Sequence, residues 1–213
     1  MLGYILLLLL DFKTFKKLNY LAHIYLSGNN KEIQVGNFIA DFVKGSKLND
    51  YLIEIRKGIV LHRLIDEFTD KHLIVKETIT LLRPEFGRYS GIIVDMYFDY
   101  FLAKNFNQYS NNQNLNCLSL KFYFAAIWYY KYLPARVKRF IFHFISTNRL
   151  KKYATVVGLK NSLEIMANHK VSALNPELII EFLEDNLEEL ELKFHLFFPD
   201  LINFANLQLN LVN

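Results

Sequence analysis

Apolar residues recur in steps of three and four along most of this chain, and no stretch alternates convincingly at a period of two. A period near 3.6 puts such residues on one face of a helix, so the pattern confines the chain to helices packed on helices. Punctuation agrees, since only 8 Gly and 4 Pro occur in 213 residues, few for a fold made of many tight turns. The spacing predicts helices over about 30–45, 50–83, 89–107, 116–133, 135–149, 157–170 and 176–197, with a shorter segment near the C-terminus. In "NPELIIEFLEDNLEELELKF", Asn175 is expected to be the N-cap and Pro176 the first helical residue, with acids in the early turns. "RPEFGRYS" and "NQYSNNQNLN" read as loops by composition. A hydrophobic content of 52%, with 19 Phe and 13 Tyr, is ample for a core. The expectation is a single-domain, all-α helical bundle.

Three of these helices carry polar groups where the apolar stripe should continue. In "GIVLHRLIDEFTD", residues 58–70, the stripe runs Leu52, Ile55, Ile59, His62, Asp66, Asp70, Leu73. Residues three and four apart lie about 5–6 Å from one another on a helix face. "IIVDMYFDYFLAKNF" repeats the anomaly with Ile92, Asp95, Asp99, Leu102 and Phe106, and "EIQVGNFIADFVKG" spaces Asn37 and Asp41 among Val35, Phe38, Ile39, Phe42 and Val43. Each has a plainer reading: Asp66, Glu67 and Asp70 as a solvated face, Asp95 and Asp99 as partners of buried Arg or Tyr, Asn37 as a cap. Buried carboxylates without a cation repel one another, and a divalent metal relieves that. Oxygen-rich ligation with one or two imidazoles suits Mn²⁺ or Mg²⁺, with Fe²⁺ and Zn²⁺ as further options. Helix bundles build such sites from inward side chains.

The remaining chemistry is sparse. His72 and His143 read as surface or filler, and His169 and His195 as packed or capping residues. No phosphate-cradling Gly loop and no nucleophile elbow occurs. The one cysteine, Cys117, has no His near it in sequence, excludes an internal disulfide framework and fits a reducing, cytoplasmic setting. The apolar run 4–10 is far short of the roughly 20 residues a spanning helix needs, and no basic n-region precedes it and no cleavage site follows it, so no stable membrane insertion is expected.

Charge is unevenly distributed. Residues 100–163 hold ten Lys and Arg and no Asp or Glu, whereas nine acids and two bases follow from 164 to the end. The two surfaces pair within the fold, or the basic one docks an acidic partner. No nucleic-acid motif accompanies the basic stretch, and no nucleic-acid partner is expected.

"NYLAH" at 19–23, "GNFIADFVKG" at 36–45, "GIVLHRLIDEFTD" at 58–70 and "DMYFDYFLA" at 95–103 resemble, in order, the motifs of the acyl carrier protein phosphodiesterases. These are all-helical, divergent, HD-domain-like metal phosphohydrolases, and the resemblance runs from Leu18 to about Phe198. Members typically begin at the equivalent of Asn19, so residues 1–17 are expected to be an upstream extension or a misassigned start, with the domain over 18–213. The resemblance implies hydrolysis of 4′-phosphopantetheine from holo-acyl carrier protein, an acidic partner, by a divalent metal: Mn²⁺ foremost, Mg²⁺ or Fe²⁺ otherwise. It implies a place in fatty acid and lipid metabolism. Carried over residue by residue, His62, Asp66, Asp41 and Asp95 lead as metal ligands, with Asp99, Asn37 and His23 as further or supporting ligands. Arg63 or Lys44 would stabilise charge on the phosphoryl oxygens, and Asp70 would orient His62. Arg136, Lys138, Arg139, Arg149, Lys151 and Lys152 are the expected carrier-docking residues. The adjacent His-Asp pair that names the HD superfamily occurs nowhere in the chain, and Val60 and Tyr100 stand where some relatives have His. Competing expectations are a phosphohydrolase of nucleotides or other small diesters, and a non-catalytic helical binding module.

Overall fold

The computed structural model describes residues 20–110, 113–169 and 174–212; residues 1–17, expected above to be an extension, lie outside them. Among the described residues all regular structure is helical, as the periodicity demands. The α-helices are α1 (Tyr20–Leu26), α2 (Lys31–Ile39), α3 (Ile53–Lys71), α4 (Leu73–Phe86), α5 (Ser90–Lys104), α6 (Phe106–Tyr109), α7 (Leu115–Trp128), α8 (Ala135–Ser146), α9 (Arg149–Lys152), α10 (Val156–His169), α11 (Pro176–Asp185) and α12 (Leu187–Val212). Short 3-10 turns at Ala40–Phe42, Gly45–Asp50, Gly87–Tyr89 and Tyr130–Tyr132 join several of them.

Helix α5 is the axis of the fold: residues 93–103 are all buried, with α1, α4, α10 and α12 packed around it. Its Tyr97 and Phe101 join Phe194 and Phe198 of α12 in one continuous core. Asn30 caps α2 by accepting the Glu32 and Ile33 N–H groups at 2.9 and 3.2 Å. Asn175 does the same for α11, accepting from Glu177 and Leu178 at 3.1 and 3.3 Å, ahead of Pro176 as expected.

The closest helix crossing is between α2 and α3, and two glycines explain it. A Cβ built on Gly36 would lie 2.0 Å from the Ile55 carbonyl oxygen, and one on Gly58 would lie 2.2 Å from the Ile33 carbonyl oxygen. The two backbones therefore touch, which no residue larger than glycine permits. Asn37 follows the first glycine directly, and His62 lies one turn beyond the second.

Several boundaries differ from the periodic reading. His72 is extended (φ −66°, ψ 134°) and divides the expected 50–83 helix into α3 and α4. Asn186 likewise separates α11 from α12, which runs on to Val212. The stretch 83–86, expected in a loop, is the last turn of α4 with Pro84 inside it, and α1 carries a turn of helix that no periodicity announced.

Candidate metal centre

Four elements bring polar side chains to one point. Helix α1 supplies His23, α2 supplies Asn37, the 3-10 turn after α2 supplies Asp41, and α3 supplies His62 and Asp66. The imidazoles of His23 and His62 stack at 4.0 Å between centroids, 22° from parallel. Asp66 faces both: one carboxylate oxygen is 3.4 Å from His23 Nε2 and the other 3.4 Å from His62 Nε2. Asp41 Oδ1 lies 3.5 Å from the same His62 nitrogen. Among the described residues, His23, His62 and Asp66 are the group whose donor atoms converge within 4.8 Å of one another.

A chain of hydrogen bonds decides which nitrogen of His62 carries its proton. Ser27 donates its hydroxyl to the His23 carbonyl at 2.7 Å, so its oxygen accepts from Asn37 Nδ2 at 2.9 Å. That leaves Asn37 Oδ1, 3.1 Å from His62 Nδ1, as an acceptor. Neutral His62 therefore holds its proton on Nδ1 and turns Nε2 toward the carboxylates. Asn37 thus fills the orienting place expected of Asp70. Asp70 is exposed at the end of α3, and the inward position in that turn belongs to buried Thr69, because 3.6 residues per turn favour the step of three there.

The electrostatics follow from burial against pairing. Burial alone would lower the His62 pKa, but the Asp41 and Asp66 carboxylates facing it outweigh that and raise it to about 9. Burial would raise Asp66, yet His23 and His62 hold its carboxyl well below the usual carboxylate range. The donors fit a cation. Separations of 3.4–3.5 Å are long for hydrogen bonds. Ligands about 2.1 Å from an ion stand about 3.0 Å apart in an octahedron and about 3.4 Å in a tetrahedron. The imidazoles lie beneath, while the Asp41 and Asp66 side chains are 18% and 23% exposed, so the centre opens to solvent through its carboxylates.

Asp95 and Asp99 do not join that group of donors. They line a neighbouring cavity of about 20 Å³ with Ala22, Ile65, Thr69 and Phe198, room for about one water. Asp99 accepts the Leu21 and Ala22 N–H groups, both at 2.9 Å, and so caps the start of α1 from a helix 77 and 78 residues away. Burial pushes Asp99 up to about 8, with those two donors opposing it. Its work is to hold α1, and through α1 His23.

Around the opening, Arg63 and Lys44 are exposed, and Arg63 reaches toward the Val43 carbonyl at 3.5 Å, on the Asp41 side. Helix α8 flanks the same side, with Phe140 5.9 Å from Phe42, and carries half-buried Arg136 and Lys138 and exposed Arg139. Lys151 and Lys152 are exposed on α9, whereas Arg149 is half-buried with a hydrogen bond to Tyr153. The acidic tail pairs with two other bases of the 100–163 stretch, Glu191 with Lys104 at 2.8 Å and Glu177 with Lys160 at 3.1 Å, so the two charged segments meet in part within the fold. Of the other histidines, His72 packs on Phe197 with Asp200 3.4 Å away, and His195 meets the Tyr109 hydroxyl at 2.5 Å. His143 is exposed, and the His169 side chain lies outside the described residues.

An all-α domain that brings two imidazoles from α1 and α3, and two carboxylates from α3 and the turn after α2, to one solvent-facing point has a donor set that could hold a divalent cation. Residues 18–201 match the family model described as acyl carrier protein phosphodiesterase, and the chain belongs to that family, an enzyme of the phosphodiesterase class. The acyl carrier protein phosphodiesterase of Yersinia pestis is 30% identical over 190 residues, covering 88% of this chain and 97% of that protein. The protein of the same name from Klebsiella pneumoniae subsp. pneumoniae is 31% identical over 193 residues, again 88% and 97%. No solved structure matches the chain.

Proposed function

We propose that this protein hydrolyses the phosphodiester joining 4′-phosphopantetheine to holo-acyl carrier protein, releasing the arm and leaving the apo-carrier. The observation that carries this is the convergence of His23, His62, Asp66 and Asp41 in a chain of the acyl carrier protein phosphodiesterase family. Those four residues would hold a divalent cation, Mn²⁺ by preference. When bound, it supplies Lewis-acid charge that polarises the phosphoryl group and makes water a better nucleophile at neutral pH. Asn37 keeps the His62 Nε2 lone pair aimed at the site, and Asp99 keeps α1, with His23, in register. Arg63 or Lys44 would stabilise charge on the phosphoryl oxygens. Asp95 supports from the cavity behind, and kinship with HD-domain hydrolases is part of the same proposal.

The carrier approaches along α8 and α9. Arg136, Lys138, Arg139, Lys151 and Lys152 would meet its acidic surface, with Arg149 anchoring the α9 edge through Tyr153. A reducing, cytoplasmic setting and a role in lipid metabolism go with that substrate. Incubating the protein with Mn²⁺ and purified holo-carrier, then weighing the carrier, tests the reading. Loss of the mass of the phosphopantetheine group is expected. An intact carrier together with turnover of small diesters would overturn it.

A further inference from the structure

Helix α7 carries apolar residues on its outer side as well as its inner one, yet only the inner side is covered. Phe122, Ala125 and Ala126 face the core, while Leu120, Phe124, Ile127 and Trp128 form an outward stripe at steps of four, three and one. These four are between 51% (Ile127) and 71% (Trp128) exposed, and Phe142 of α8 extends the patch at 58%. Phe124 and Trp128 stack at 6.1 Å, and Phe142 lies 5.5 Å from Tyr130. Isolated exposed apolar residues are ordinary, but a contiguous aromatic patch on one face marks an interaction surface.

Cations ring it. Lys31 sits over the Phe124 ring at 5.6 Å, Lys138 over Tyr130 at 5.1 Å and Lys131 over Tyr132 at 4.8 Å, and Lys121 is exposed on α7 itself. No Asp or Glu occurs anywhere from 100 to 163, and the acid at the margin, Glu32 of α2, accepts from the Tyr129 hydroxyl at 3.0 Å. The patch stands apart from the metal centre, since Phe124 lies against the first residue of α2 and Asp41 comes ten residues later, about 15 Å along the chain's axis.

We infer that this face seats the protein on the surface of an anionic lipid bilayer. Protruding aromatic and aliphatic side chains at the centre, with lysines at the margin, match a planar interface whose apolar interior lies beneath negative headgroups. Groups that project this far suit a surface that deforms around them, whereas a folded protein would need a concave apolar surface of matching shape. Among the described residues, no helix is long and apolar enough to cross a membrane. The inference does not depend on the phosphodiesterase reading.

Trp128 is the only tryptophan in the chain, so its fluorescence reports on this face alone. The test adds vesicles of phosphatidylcholine with phosphatidylglycerol in equal parts, or of phosphatidylcholine alone, to the full chain. Emission should shift to the blue and the protein should sediment with the anionic vesicles, more weakly as salt rises, and much less with the neutral ones. The Leu120→Ser/Phe124→Ser variant keeps the reporter, and it should partition about tenfold or more weakly with its melting temperature and carrier hydrolysis unchanged. Absence of any shift with anionic vesicles would overturn the inference, as would a shift produced by holo-carrier and not by lipid, which would make this a protein-docking face.

Discussion

Gly58 is the residue on which the site geometry turns most directly, and replacing it separates two opposite expectations. In an open helix position, Gly58→Ala would stabilise by about 1 kcal/mol through helix propensity. Here the added Cβ would meet the Ile33 carbonyl oxygen at 2.2 Å and the Asn37 nitrogen at 2.8 Å, both backbone atoms with no rotamer to change. Restoring ordinary contact parts α2 from α3 by about 1 Å. Overpacking of this kind costs about 1–3 kcal/mol, and the upper end applies where only backbone can yield. The net expectation is a loss of about 2 kcal/mol. The same displacement would break the 3.1 Å contact between Asn37 and His62, which hangs on that crossing. Urea denaturation reads the first effect and Mn²⁺ titration the second. Gly91→Ala is the control, since its Cβ would meet nothing nearer than Ile79 at 3.9 Å, and it should be neutral or stabilising. A Gly58→Ala protein as stable as wild type, with unaltered metal affinity, would refute the reasoning.

Other outcomes follow from the same geometry. Asn37→Leu removes the acceptor for His62 Nδ1 and should weaken Mn²⁺ binding about 10–100-fold, read by calorimetry. In the metal-free protein the His62 pKa is raised to about 9 from 6.5, so its stabilising contribution is complete below pH 6.5 and disappears as pH rises through 9. Because a metal replaces that proton, the rise in melting temperature on adding Mn²⁺ should grow across the same window. Asp99→Ala leaves the Leu21 and Ala22 N–H groups without their acceptor and should cost about 1–2 kcal/mol in denaturant melts, with weaker metal binding through His23. Charge reversal at Lys138 and Arg139 should raise KM for the carrier and flatten its salt dependence with little change in kcat.

Much of the helical layout was legible because 3.6-residue periodicity is a property of each segment alone. The breaks at His72 and Asn186 were not, since neither Gly nor Pro marks them and the apolar rhythm continues across. Helix α1 is only seven residues, too short for a period to declare itself, and it is held by Asp99 from far along the chain. His62 and Asp66 stood out because they interrupt an inward apolar stripe. Asp70 looked equivalent on paper, but a further step of four drifts off the buried face. The stripe's outer ends, Leu52 and Leu73, are exposed because they lie outside α3, one before its first turn and the other beyond the break at His72. Asp95 and Asp99 were recognisable as buried acids, yet their place beside a cavity and at a helix cap depends on partners that no local pattern reveals. The signal left unused was glycine. Gly36 and Gly58 sit inside strong helical patterns at a cost of about 1 kcal/mol each, and such placement signals close backbone approach.

Crystals grown with Mn²⁺ and measured at an X-ray energy where manganese scatters anomalously would locate the ion directly. The expected result is one anomalous peak about 2.0–2.3 Å from His23 Nε2, His62 Nε2 and an Asp66 oxygen, with Asp41 facing it. A fully occupied peak elsewhere on the chain, or none at saturating Mn²⁺, would contradict the claim that these side chains form a metal centre.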